Sequence, residues 1–310
     1  MASADSLELS HLAGVDPDSR RDRFLTLLEI YDLYSAAVQD LGDRAQYVSN
    51  PSVAAIKQRC ESSWLVELDE PAVPQDIAEQ NPLSAVRMLA VRDRLPEVYK
   101  WLAREASWDD VVQFLAIEGG PDAGFDDLVA MCQVGLSGRA KLELATNYWD
   151  EMGNGDLSLV HTTLHQRMAE AIGMPRLPHT ALPTSALART ALGGLLSTNR
   201  WLQPEALGAL GLIELQAGPR CRLVLQAFER CGAPAAAYDF YAVHAEVDPR
   251  HGKNWLDNAI APTLAESPDW GARILRGAYW RSTVNAEFVR DVAELLGAPG
   301  DSTAGLAAAS

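Results

Sequence analysis

Residues 21–41 read RDRFLTLLEIYDLYSAAVQDL, and the apolar positions in this stretch recur with the period of an α-helix. The stripe consists of Phe24, Leu27, Leu28, Tyr31, Tyr34 and Val38. Such spacing predicts an amphipathic helix that ends at Gly42. The same period recurs along the rest of the chain, and no alternating run of β-branched residues predicts a strand. We therefore expect an all-α fold.

Further helices are predicted from the same spacing and from Gly or Pro breaks between periodic segments. Their predicted bounds are 51–68, 83–94, 96–105, 107–118, 126–134, 138–152, 157–172, 185–196, 204–216, 219–231, 234–247, 252–266 and 270–296. Ser107 is the predicted N-cap of one of them. No Gly/Ser-rich linker or repeat divides the chain, so we expect a single helical domain over residues 21–296 with a peripheral N-terminal layer. We expect residues 1–20 and 297–310 to be disordered.

The charge balance excludes some classes of partner. The 310 residues include 42 acidic and 26 basic side chains, which gives a formal charge of -16. An acidic surface repels phosphate backbones and anionic lipids, so neither nucleic acid nor a membrane is an expected partner. The first twenty residues lack the basic start and apolar core of a secretory signal. The four cysteines form no CxxC pair, and we expect reduced thiols in a cytoplasmic protein.

The segment HAEVDPRH at 244–251 is the strongest local signal for chemistry. On a helix, His244, Asp248 and His251 would lie within about 60° of one another. Two imidazoles and a carboxylate on one face suit a first-row metal ion. The alternative is that Asp248 caps a new helix beginning at Pro249. Because proline disfavours helical geometry in the residue before it, the pattern leaves both interpretations open.

Three further acids and one histidine extend this signal. Glu151 ends a predicted helix, and a Gly153-Asn154-Gly155 turn separates it from His161, so both side chains can face one site. Glu118 and Glu214 lie in apolar segments, where a bare carboxylate costs several kcal/mol to bury. The alternatives are a solvated helix end for Glu151, a core position for His161 and a solvent-facing Glu214. Bundles that hold Glu and His from facing helices form two-metal carboxylate sites, and four carboxylates balance two divalent ions.

These motifs resemble those of the haem-oxygenase-like di-iron oxidases and oxygenases, also described as iron-containing redox enzymes. The resemblance spans about residues 107–264 and is carried by four segments. They are FLAIE around Glu118, NYWDEMGNGDLSLVHTTLH around Glu151 and His161, GLIE around Glu214, and YDFYAVHAEVDPRHG around His244, Asp248 and His251. The resemblance implies a haem-oxygenase-like up-and-down helical bundle, here with extra N-terminal helices.

The resemblance also implies the activity and its cofactors. It implies two iron ions per chain, dioxygen as co-substrate and an external electron donor. The implied ligands are Glu118, Glu151, His161, Glu214, His244, Asp248 and His251, with Glu151 and Glu214 shared. The expected reaction is oxidation of a small organic substrate in natural-product biosynthesis, with N-oxygenation of an amine or amino acid favoured over oxidative C–C cleavage or desaturation.

Several expectations concern substrate and partners. Phe114, Tyr148 and Tyr241 are candidate walls of a substrate pocket, although aromatic residues at helical spacing also form ordinary core. A reductase is an expected partner, because a di-iron oxidase needs electrons, and a homodimer is expected from the type of bundle. Two other classes remain open. One is a metal-independent, cofactorless oxidase of the same bundle, and the other is a non-enzymatic helical binding protein with solvent-facing or salt-bridged Glu118, Glu214 and histidines.

Overall fold

The computed structural model describes residues 18–93, 95–119 and 124–300, and this part of the chain contains helices and no strand. The α-helices are α1 (Arg20–Ser35), α2 (Val38–Leu41), α3 (Pro51–Asp69), α4 (Gln75–Ala78), α5 (Pro82–Arg92), α6 (Glu97–Arg104), α7 (Trp108–Glu118), α8 (Phe125–Cys132), α9 (Gly138–Glu151), α10 (His161–Ile172), α11 (Thr184–Thr198), α12 (Gln203–Cys231), α13 (Tyr238–Asn254), α14 (Ala261–Glu266) and α15 (Gly271–Leu296). A π-helical turn, Trp255–Ile260, joins α13 to α14. The predicted all-α fold is confirmed.

Local capping explains several helix starts. Ser107 caps α7 through a reciprocal pair of hydrogen bonds with Asp110, as the sequence predicted. Asn50 and Asn81 cap α3 and α5, and each precedes a proline at the first helical position. These caps satisfy backbone N–H groups that would otherwise lack a partner within the helix.

The predicted helix over 21–41 is wrong in its second half. α1 ends at Ser35, because Ala36 adopts an extended conformation with ψ of 153°, and only the single turn α2 follows. The predicted helix over 157–172 is also broken. Leu157–Leu159 is a 3-10 turn, and Val160 is extended before α10 begins at His161. His161 therefore occupies the first position of its helix.

Two predicted breaks at proline do not occur. The segments 204–216 and 219–231 form one helix, α12, with Pro219 inside it, and Pro249 lies inside α13. Proline removes one backbone hydrogen bond and costs about 3 kcal/mol in a helix interior. Tight packing accompanies both prolines, since a Cβ atom on Gly218 would lie 2.9 Å from the ring of Pro249. The alternative in which Asp248 caps a new helix is thus excluded.

The long helix α12 is at the centre of the packing. It contacts α13, α15 and α6, while α1 packs against α11 and α3. A continuous hydrophobic core includes residues from the N-terminal helices as well as from α12 and α15. The expected disorder of residues 1–20 and 297–310 falls mostly outside the described residues, although Arg20 begins α1 and residues 298–300 are non-helical.

No helix in residues 18–93, 95–119 and 124–300 combines the length and the apolar character needed to cross a membrane.

The crossing of α12 and α15 depends on two glycines. A Cβ on Gly277 would lie 2.0 Å from the Glu205 carbonyl oxygen, and one on Gly208 would lie 1.9 Å from that of Ile274. No side chain fits at these positions without moving a backbone.

We therefore expect Gly277→Ala to lower the free energy of unfolding by about 3 kcal/mol, in spite of the roughly 1 kcal/mol that Ala gains over Gly in a helix. Gly124→Ala is the matched control, because a methyl group there meets nothing within 4 Å. Denaturant unfolding of both variants measures the difference. Equal stability of the two would show that the helices separate at no cost.

Candidate metal centre

Five of the seven predicted ligands converge in the bundle. Three atoms, one each from Glu151, His161 and His244, lie within 4.8 Å of one another. A second group of the same compactness consists of atoms from Glu151, Glu214 and His251. Glu151 belongs to both groups, so the two are adjacent. The five side chains come from α9, α10, α12 and α13, which are separate in sequence.

Contacts within the two groups lack the geometry of ordinary hydrogen bonds. Nδ1 of His161 lies 2.6 Å from Oε2 of Glu151, and Nδ1 of His251 lies 3.6 Å from Oε2 of Glu214. Neither imidazole nitrogen has a hydrogen-bond partner among the described residues, although both are buried. Buried polar atoms are almost always paired. Nitrogen and oxygen lone pairs that converge in this way fit a shared cation.

Asp248 is buried beside these groups, on the same wall of the protein interior. Burial raises its pKa well above the usual range, and the nearby Glu214 and Glu151 carboxylates raise it further. Its Oδ2 atom makes no hydrogen bond within the described part of the chain. Three acids at such close quarters repel one another unless a positive charge lies between them. The donor set of three carboxylates and three imidazoles therefore fits divalent metal ions of the first row.

The two histidines of α13 are oriented by their second ring nitrogens. Nδ1 of His244 lies 2.6 Å from the Phe240 carbonyl oxygen and donates to it, which leaves Nε2 as a lone-pair ligand. Burial and the neighbouring His161 lower the pKa of His244 to about 4, so its ring is neutral at pH 7. Nε2 of His251 lies 2.8 Å from Oδ2 of Asp150, which leaves Nδ1 directed towards Glu214.

Glu118, the remaining predicted ligand, belongs to neither of the two groups. The hydroxyl group of Tyr99 donates to its carboxylate, and Nη2 of Arg189 lies 3.6 Å away from it. Arg189 also donates to the backbone carbonyl oxygen of Glu118 at 2.9 Å. These contacts pair Glu118 with Tyr99 and Arg189, and its role as a metal ligand stays a prediction.

Three polar residues around the groups were not predicted from the sequence. Asp150 accepts from His251 and is itself held by Asn154, whose Nδ2 donates to Oδ1 at 3.0 Å. Asn147 donates to Oε1 of Glu214 at 2.6 Å. Asp126 is half-buried, and burial raises the pKa of its carboxyl group, with smaller contributions from Asp127 and Glu151. Asn147 lies four residues before Glu151 on one face of α9, and that spacing was a usable signal.

A cavity of about 390 Å³ opens beside the centre. Glu151, Glu214, His244 and Asp248 form part of its wall. Of the three aromatic residues predicted for a pocket, Tyr241 lines this cavity. Phe114 is fully buried against Tyr99 in the core, with ring centroids 5.2 Å apart, and Tyr148 packs against the core from a partly buried position.

Residues 113–286 match the sequence profile of a family described as iron-containing redox enzymes. The match covers more than half of the chain and contains all seven predicted ligands. No curated protein sequence matches this chain.

We expect Asp150→Ala to weaken metal binding by roughly 10- to 100-fold, because His251 loses the acceptor that orients its ring. Glu246→Ala is the control, since this exposed acid lies on the same helix as His251 and removes the same charge. Titration with Co(II), followed by its visible absorption, measures the affinity. Equal binding by both variants would contradict the orienting role of Asp150.

Metal binding is expected to release protons at pH 7. Burial alone would lower the pKa of His251, but Glu214 and Asp150 raise it to about 9, so the metal-free imidazole carries a proton at neutral pH. A metal ligand must lose that proton, and affinity therefore rises as the pH increases towards 9. Calorimetry in two buffers of different ionisation enthalpy counts the protons. Identical heats in both buffers would refute the expectation.

Proposed function

Since the chain belongs to the family of iron-containing redox enzymes, we propose that it is a non-haem di-iron oxidoreductase that uses dioxygen to oxidise a small organic substrate. The observation that carries the proposal is the position of Glu151, which is common to two buried groups of potential ligands. A carboxylate shared in this way can hold two cations with its two oxygens. A site for a single ion would need only one of the groups.

The residues assigned to the two ions follow from the contacts. His161 and His244 would hold one iron together with Glu151, while Glu214 and His251 would hold the other, with Asp248 beside them. Two divalent ions carry four positive charges, which offset the mutual repulsion of Glu151, Glu214 and Asp248. Bound iron would supply the redox electrons and the activation of dioxygen that no side chain of this chain provides.

The protein itself would supply positioning and exclusion of water. His244 presents a neutral imidazole because Phe240 holds its Nδ1 proton, and Asp150 holds the Nε2 proton of His251. The residues assigned to the two ions are buried, except His244, which is half-buried. The adjoining cavity can enclose a small molecule beside them. Reactive oxygen chemistry benefits from such enclosure, because water and side reactions are kept away.

Several finer features belong to the same proposal. We infer N-oxygenation of an amine or amino acid in preference to C–C cleavage or desaturation, within natural-product biosynthesis in the cytoplasm. Electrons would come from a reductase, for which the chain's charge of -16 favours a basic docking surface. A homodimer is the proposed assembly.

Unpaired ring nitrogens favour the proposal over the two alternative classes. A binding protein without a metal predicts solvent-facing or salt-bridged side chains. Glu118 and His251 are paired with Arg189 and Asp150, as that class predicts, whereas Nδ1 of His161 and Nδ1 of His251 are buried and make no hydrogen bond to the described residues. A cofactorless oxidase of the same bundle has no need for a carboxylate shared between two histidine-containing groups.

Metal stoichiometry in two variants tests the shared ligand. We expect about two irons per parent chain, about one for His161→Ala, which disrupts a single group, and well below one for Glu151→Ala, which disrupts both. Anaerobic loading with Fe(II) followed by iron analysis gives the values, and oxygen uptake after air is admitted gives the activity. Equal iron content in the two variants would overturn the assignment of Glu151 as the shared ligand.

A further inference from the structure

The cavity has a wall that the family match does not include. Leu28, Tyr31, Asp32 and Ser35 of α1 line it, together with Ala36, and all precede the matched residues 113–286. The Tyr31 ring packs so closely on α11 that a Cβ atom on Gly194 would lie 2.1 Å from it. The α1 helix is therefore fixed in place as part of the cavity.

Hydroxyl groups on this side of the cavity offer only acceptor oxygens. Four of them line it, and each donates its single proton to a carbonyl oxygen of its own helix at 2.7 to 3.4 Å. The four belong to Ser35, Thr190, Ser197 and Thr198. A hydroxyl group whose proton is used in this way presents lone pairs to a ligand. The wall is thus suited to a ligand that donates hydrogen bonds.

Asp32 is the charged member of this wall. It is half-buried and makes no hydrogen bond or ion pair within the described part of the chain. Burial raises the pKa of its carboxyl group, while His179, which also lines the cavity, and Arg44 lower it without forming an ion pair with Asp32. Asp127, which is exposed, adds another carboxylate to the cavity lining.

Positive side chains of the cavity are already engaged elsewhere. Arg189 contacts Glu118 and lies 4.8 Å over the ring of Phe288. Arg281, which also lines the cavity, has an interaction partner within the protein. The cavity also has an uncharged polar group without a partner, the hydroxyl group of Tyr241. This side chain is only 5% exposed, and its hydroxyl group makes no hydrogen bond to the described residues. The cavity therefore has an unpaired acid on the α1 side and an unpaired hydroxyl group on α13, the helix of His244.

We propose that the α1 side of the cavity binds an alkylammonium group, with Asp32 as its charged acceptor. An ammonium group carries three donors and no acceptor, which matches a carboxylate surrounded by acceptor oxygens. Leu28, Leu128, Leu192, Leu196, Leu210 and Ile213 supply apolar cavity walls for an alkyl chain. The substrate would carry this positive nitrogen at α1 and present another position to the metal centre, which for N-oxygenation must be a second nitrogen, a consequence that rests on the proposed function.

A set of ligands of one chain length tests the charge preference in the parent protein. Hexylamine, hexanol and hexanoate are titrated calorimetrically into the metal-free full chain and into the Fe(II)-loaded chain without oxygen. We expect hexylamine to bind about tenfold or more tightly than hexanol, and hexanoate to bind most weakly. Equal binding of amine and alcohol, or tighter binding of hexanoate, would overturn the proposal.

The role of Asp32 is tested by Asp32→Asn, which keeps the size of the side chain. We expect the ratio of amine to alcohol affinity to fall to near one. Asp40→Asn, an exposed change of equal charge in the same N-terminal region, should leave the ratio unchanged. Because both affinities are measured on one sample, a loss of folded protein lowers the apparent number of sites and leaves the ratio intact. An unchanged ratio in Asp32→Asn would refute the assignment.

Failure of this proposal and failure of the proposed function can be told apart. Asp32-dependent amine binding in a chain that takes up no iron would uphold the ammonium subsite and defeat the di-iron proposal. Iron uptake and oxygen consumption without a preference for amines would do the reverse.

Discussion

The candidate metal centre depends on the close approach of α12 and α13. A Cβ atom on Gly252 would lie 2.9 Å from the Cα atom of Leu215, and one on Gly218 would meet the ring of Pro249 at the same distance. Glu214 precedes Leu215, and His251 precedes Gly252, so this contact brings the two side chains together. With a larger residue at either glycine, the helices would separate and the second ligand group would open.

Electrostatics sets the second constraint. Glu151, Glu214 and Asp248 are buried together, and burial, followed by the proximity of the other two carboxylates, raises the pKa of Asp248 well above its usual range. His251, between Glu214 and Asp150, holds a proton up to a pH of about 9 in the absence of metal. The metal-free protein thus partly neutralises its own site with protons. Divalent cations would replace those protons, which explains why such a costly set of buried charges can be kept in a stable fold.

The potential metal ligands and one wall of the cavity come from different parts of the chain. All the potential ligands lie within residues 113–286, whereas α1 contributes a cavity wall from outside that range. A shared scaffold can hold the same chemistry in many proteins, and the residues around the cavity then select the substrate. In this chain the N-terminal helix carries Asp32, the unpaired acid of that wall.

The sequence by itself determined the helical fold, most helix bounds, and the motifs from which the ligands come. Periodicity and caps are local properties, so the prediction succeeded for α7, whose N-cap Ser107 lies next to the helix that it starts. Helix continuity through Pro219 and Pro249 was not predictable, because packing against the neighbouring helix offsets the lost hydrogen bond. Only the tertiary structure shows which side chains Glu214 and Glu118, two acids in apolar segments, contact. Glu214 faces His251, while Glu118 meets Arg189, and a contact between residues 71 positions apart depends on packing that no local pattern encodes.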